Sequence, residues 1–125
     1  MKPYHDTLLR VKLHRWNEIQ EEALNALLVR RVLHTARLTI ARLNLKQGCL
    51  VPRHSHENEQ VSTVESGKLR FIYPGGEIEV GAGESLEIPS GLPHEVIALE
   101  DSVVLDLFAP RREDWISGDD AYLRR

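Results

Sequence analysis

GCLVPRHSHENEQVSTVESG, residues 48–67, sets two histidines two positions apart, His54 and His56, in a run bounded by Gly48 and Gly67. Successive side chains of a strand leave opposite faces, so on a strand these two histidines share one face. Gln60 has the same parity and joins them if the strand stays regular over His54–Val64. Glu57 and Glu59 have the other parity, which ranks them below Gln60 as an oxygen donor. A third histidine, His94, follows a Pro/Gly turn in PSGLPHEV, residues 89–96, and opens another strand. Imidazoles at the ends of rigid strands can converge on one cation. Three His and one oxygen donor suit a single divalent transition metal (Ni, Mn, Fe, Co or Zn), with open positions for water or substrate. An isolated HxH pair carries little weight, because most single histidines are surface or hydrogen-bonded core residues. Here the pair comes with bracketing glycines, matching parity and a distant third His. His5, His14 and His34 have no such company and read as hydrogen-bonding residues.

Outward from this stretch the chain keeps alternating apolar and polar residues between Gly, Pro, Asn and Asp breaks, the pattern of short antiparallel strands. Residues 16–28, WNEIQEEALNALL, are the one helical stretch expected, a turn or two in length. LVRRVLHTARLTIARLNL then reads as two strands with a turn near His34–Ala36. Downstream, Leu69, Phe71 and Tyr73 alternate with Lys68 and Arg70, and Pro74-Gly75-Gly76 turns the chain into Ile78 and Val80. Ser85–Ile88 is a short strand, and Val96–Leu99 with Ser102–Phe108 reads as a final hairpin about Glu100-Asp101. So many short strands predict an all-β sandwich or barrel, not a βαβ fold. The charged tail RREDWISGDDAYLRR carries Trp115, Tyr122 and Leu123, suited to packing across the barrel or a partner subunit.

The chain has 125 residues, the size of one domain, 1–125, with 42% hydrophobic and 28% charged residues. A formal net charge of −3 and the lack of any basic run argue against nucleic acid as a partner. No apolar run approaches a membrane span, and MKPYHDTLLRVKLHRW lacks the apolar segment of a signal peptide. Cys49 is the only cysteine, so no internal disulfide forms, and the expected location is cytoplasmic.

The last strand ends VVLDLFAPRREDW, residues 103–115. Asp106 and Phe108 share a parity and point into the barrel, while Leu105 and Leu107 point away. An inward Asp costs free energy unless it is paired or used. It either pairs with an arginine, Phe108 being plain core, or belongs to a site. Arg112, just past Pro110, can fold back over the barrel mouth.

Gly48-x5-His54-x-His56-x3-Gln60-x6-Gly67 resembles the first motif of the cupin family, and Gly83-x5-Pro89-x-Gly91-x2-His94 resembles the second. The resemblance implies an RmlC-like antiparallel β-barrel, or jelly roll, with the motifs spanning 48–67 and 83–98. Two positions depart from the family pattern: Gln60 stands where a Glu is usual, and Ala98 where an Asn is usual. A neutral amide with three neutral imidazoles leaves the metal's charge uncancelled. Such a site attracts anionic or enolate-forming ligands and acts as a Lewis acid; it is less suited to stabilising a higher oxidation state. Asp106-x-Phe108-x3-Arg112 after those motifs resembles the small KdgF-type cupins of pectin degradation. Those proteins convert ring-form 4,5-unsaturated monouronates into linear ketonised products. The resemblance maps metal ligation to His54, His56, Gln60 and His94, and the important non-ligand residues to Asp106, Phe108 and Arg112. Residues 1–30 carry no matching motif. Family resemblance also implies a homodimer, for which exposed sheet edges give mild support.

Three functional readings follow. In the first, the protein is an enzyme of uronate metabolism acting on a small anionic substrate. Asp106 moves a proton between oxygen and carbon, Arg112 grips the carboxylate through a bidentate contact, Phe108 walls the pocket, and Arg111 is a backup clamp. In the second, a cupin dioxygenase acts on an enolisable substrate and consumes oxygen. In the third, a non-enzymatic cupin binds metal or a small molecule without turnover.

Overall fold

The structure is a computed structural model that describes residues 11–125. His5 lies outside the described residues. A single 3-10 turn, Trp16–Glu18, leads into ten strands: β1 Glu22–Asn25, β2 Leu28–His34, β3 Thr39–Leu45, β4 Leu50–His54, β5 Glu59–Ser66, β6 Lys68–Tyr73, β7 Gly76–Gly81, β8 Ser85–Ile88, β9 His94–Ala98 and β10 Ser102–Ala109. They build two antiparallel sheets. One has six strands in the order β1-β2-β3-β10-β5-β8, the other four in the order β4-β9-β6-β7. A short helix α1, Glu113–Ile116, and a 3-10 turn, Ala121–Arg124, end the chain. Among the described residues no helix is long and apolar enough to cross a membrane.

Period-two burial explains the strands. In β3, Thr39, Ala41, Leu43 and Leu45 are buried while Asn44 between them is exposed, and β5 buries Gln60, Ser62 and Val64. The inward sets of both sheets, among them Leu43, Leu45, Leu69, Phe71, Val96 and Val104, form one apolar core. Gly67 is forced by geometry: its φ is +87°, and a Cβ there would collide with the Asp101 carbonyl oxygen.

Three expectations are corrected. Residues 16–28 are helical only over Trp16–Glu18; the rest is a β1–β2 hairpin. Asn25 Oδ1 accepts from Leu27 N at 2.8 Å and shapes the turn, and Leu24, Leu28 and Arg30 bury one face, so tertiary pairing overrides local helix preference. His54–Val64 is not one strand. The chain leaves one sheet after His54 and enters the other at Glu59, crossing through residues 55–58. Asn58, buried, ties that crossing to the carbonyls of Pro110 and Arg111. Nor is there a final hairpin: β9 pairs with β4 and β6, β10 with β3 and β5, so residues 99–101 also cross between sheets.

Candidate metal centre

The three histidines meet at one end of the barrel, where the two sheets face each other. His54 closes β4 directly across from His94, which opens β9, and their ring centroids are 4.3 Å apart. His56 comes from the crossing segment and Gln60 from β5. One ring nitrogen from each of His54, His56 and His94 lies within 4.8 Å of the other two. Shared parity along one strand is therefore not what gathers the HSH pair. The crossing from sheet to sheet turns His56 back toward His54.

One device orients all three rings. Nδ1 of His54 lies 2.8 Å from Pro52 O, Nδ1 of His56 3.0 Å from Asn58 O, and Nδ1 of His94 2.9 Å from Leu92 O. A carbonyl oxygen only accepts, so each Nδ1 carries the hydrogen and each Nε2 keeps a bare lone pair. Burial, reinforced by neighbouring rings and Arg112, pushes His54 down to about 4. Burial and then Arg112 take His56 to about 4 as well, and burial lowers His94. All three are thus neutral near pH 7, the form that binds metal.

Two features are unfavourable unless a cation is present. His94 Nε2 is buried with no hydrogen-bond partner, and leaving such an acceptor unsatisfied costs about 1–3 kcal/mol. His56 Nε2 stands 3.0 Å from Gln60 Oε1, two lone pairs facing each other. A divalent ion in front of these atoms relieves both, so the three histidines and Gln60 fit a metal. Glu57 and Glu59 are exposed on the outside.

Asp106 and Phe108 point inward from β10, as their parity requires, and line the same cavity as His54, Gln60 and His94. Asp106 sits opposite Ser62 on β5, and Ser62 Oγ donates to its Oδ1 at 2.6 Å. Asp106 is not paired directly with an arginine. Burial pushes its carboxyl up to about 6 against the opposing pull of Ser62, Arg112 and the nearby Gln60 amide. Phe108 lies 5.6 Å from the His56 ring, edge to face.

Arg112 does fold back over the cavity, and it is 1% exposed. Its guanidinium lies 4.7 Å from the Phe108 ring and 4.3 Å from the Trp115 ring. Nε and Nη2 hold Asp114 at 2.9 and 2.8 Å, and Nη2 gives its second hydrogen to Tyr122 Oη at 3.0 Å. The expected bidentate grip on a substrate carboxylate is therefore not open to Arg112: the side chain's own fork is filled by Asp114, and only Nη1 remains for a ligand. Arg111 turns away to Glu113 at 2.6 Å and so is not a clamp in this cavity.

The tail packs across the barrel, one of the two placements its sequence suggested, whereas Ser62 and Asp114 were not singled out from sequence. The tail roofs the site: Trp115, Tyr122 and Leu123 line the cavity, and Tyr122 stacks on His54 at 4.4 Å. Tyr122 Oη accepts from both Arg112 and Trp115 Nε1, so its own hydrogen is the one it has to offer. Ser62 shares Gln60's parity, and following that alternation two residues further would have found it. Asp114 left no such signal, because nothing local says that it would fill the fork of Arg112.

Residues 41–108, more than half of the chain, match the family described as Cupin domain. No curated protein matches. Among solved structures, the fold is similar to KdgF from Halomonas sp., at 28% identity and a TM-score of 0.73 over 79% of this chain and 94% of that one. It is also similar to an RmlC-like cupin from Shewanella frigidimarina, at 23% identity and a TM-score of 0.77 over 85% of this chain and 96% of the other. Oxalate decarboxylase of Bacillus subtilis shares the fold at 22% identity and a TM-score of 0.68, this chain spanning 28% of its length. With both motifs in place on two facing sheets and three histidines gathered between them, the chain belongs to the cupin family.

Proposed function

We propose that this cupin is a metal-dependent enzyme that linearises and ketonises a 4,5-unsaturated monouronate. The observation that carries the reading is a three-histidine donor set of which His54 and His94 line one cavity with an inward carboxylate raised to about 6 and an arginine. Likeness to KdgF from Halomonas sp. supports it. A bound divalent metal supplies Lewis-acid polarisation of a substrate oxygen.

The chain's own groups supply the rest. Asp106, with a pKa near the working pH, takes the proton of the anomeric hydroxyl. The bond from the anomeric carbon to the ring oxygen breaks, leaving an aldehyde at one end and an enolate at the other. Asp106 then returns that proton to the former alkene carbon, turning the enolate to a ketone, so atoms and protons balance without a co-reactant. Tyr122 has a hydrogen to donate to a substrate oxygen, and Arg112 Nη1 offers its positive charge to the carboxylate. Phe108 and Trp115 form the dry wall that strengthens these contacts.

The test is loss of the conjugated absorbance of an unsaturated monouronate on mixing with metal-loaded protein, with oxygen consumption followed in parallel. Absorbance loss without oxygen uptake is expected. No loss with any divalent transition metal would refute the proposal.

A further inference from the structure

One chain of hydrogen bonds joins the proposed base to the proposed metal ligand, and its direction is fixed from one end. An ionised Asp106 can only accept, so the single proton of Ser62 goes to Asp106 Oδ1, 2.6 Å away. Ser62 Oγ is then left to accept, and it receives a hydrogen from Gln60 Nε2 at 2.9 Å. That places Gln60 Oε1 toward the histidines, 3.0 Å from His56 Nε2. Ser62 and Gln60 are buried, so water does not compete for these bonds.

We propose that Ser62 is a positioning residue that turns the Gln60 carbonyl toward the metal, and that Gln60 and Asp106 are a matched pair coupled through it. A glutamate at 60 would set two carboxylates on a hydroxyl with one proton to give. The amide at 60, where the motif usually has Glu, is on this account the counterpart of the inward Asp106. This inference rests on the metal reading of the site, not on the reaction assigned to it.

The experiment measures zinc affinity, by competition with a chromophoric chelator, alongside melting of the zinc-free protein at about pH 8. Ser62→Ala is expected to weaken zinc binding by about 10–100-fold, the usual effect of losing a residue that orients a ligand. Gln60→Glu is expected to lower the melting temperature of the zinc-free protein by about 5–10 °C, as a buried group loses its partner. Adding Asp106→Asn should restore most of that loss, because Asn can donate to Ser62 and free its proton for Glu. In a Ser62→Ala background the restoration should disappear. Equal zinc affinity in wild type and Ser62→Ala overturns the role of Ser62 and leaves the metal reading standing. Equal restoration without Ser62 also overturns it, since direct charge repulsion would then suffice. A wild-type protein that binds no zinc sinks the metal reading and this inference with it.

Discussion

Replacing His94 by leucine is expected to separate stability from metal binding. His94 is 2% exposed, and its Nε2 has no partner among the described residues. Without metal, removing that orphan acceptor returns about 1–3 kcal/mol, while losing the Nδ1 bond to Leu92 O costs about 1 kcal/mol. Leucine nearly conserves the volume, so little cavity cost is added. The metal-free variant should therefore equal the wild type or exceed it by up to about 2 kcal/mol. With metal the order reverses. Saturation at about 100 times Kd stabilises the wild type by about 2.7 kcal/mol, and the variant, lacking one of three imidazoles, gains little. A chain of this length unfolds with an entropy of about 0.26 kcal/mol/K, so the metal-dependent rise in the wild type is about 10 °C. Calorimetric melting of both proteins, with chelator and with zinc or nickel, gives all four values. A wild type whose melting temperature ignores divalent ions, or a leucine variant that keeps the full rise, would refute the reasoning.

Asp106→Asn should keep metal affinity within a few-fold, since Asn can still accept from Ser62, yet lose about 10²–10⁴-fold in turnover on an unsaturated uronate. Unchanged turnover would remove Asp106 from the chemistry. Arg112→Lys should lower stability by about 2 kcal/mol, read from denaturant unfolding, because an ammonium cannot hold Asp114 with two nitrogens while lying between Phe108 and Trp115. Asp120 links pH to the tail. Burial alone would raise its pKa, but hydrogen bonds from Arg124 and Arg30 hold it below the ordinary carboxylate value. A depressed folded pKa gives stability that is full above the unfolded value, about 4, and lost as the pH falls through the folded one. Trp115 fluorescence should therefore report tail release on acidification below about pH 4, and Asp120→Asn should show a weakened tail already at neutral pH. An acid transition unchanged in Asp120→Asn would count against that linkage.

Much of this fold was legible because a strand's period is two. Alternation placed β2, β3, β6 and β7 close to their true bounds, and parity alone sent Asp106 and Phe108 inward and Leu107 out. What parity does not encode is where a strand changes sheets. His54 and His56 satisfy the same-face rule and yet belong to a strand end and a crossing segment; the motif spacing carried the right residues for the wrong local reason. The sequence around Glu100-Asp101 contains every signal of a hairpin turn, but β10 finds better burial between β3 and β5. Within residues 16–28 the short helical turn is present at Trp16–Glu18, but the helix-favouring Glu, Ala and Leu beyond it belong to the β1–β2 hairpin, where alternate members bury. The tail's place over the barrel was legible but its pairing was not: Arg112 was expected to reach a ligand, and its partner two residues away, Asp114, occupies it instead.

Charge placement ties these pieces together. Three neutral imidazoles and an amide give a dication no negative ligand, and Arg112 is already balanced by Asp114. Asp106 is thus the one carboxylate lining the cavity among the described residues, separated by Ser62 and Gln60 from the three histidines. Had residue 60 been Glu, the negative charge would sit on the metal, blunting its pull on a substrate oxygen, and the hydroxyl of Ser62 would be contested. With Gln60 the same charge stands two hydrogen bonds back, at Asp106, where it can take a proton. On the proposed reading, a bound metal would keep its full positive charge for an anionic substrate. Ligand choice at 60 and base placement at 106 are therefore one design decision expressed on two neighbouring strands.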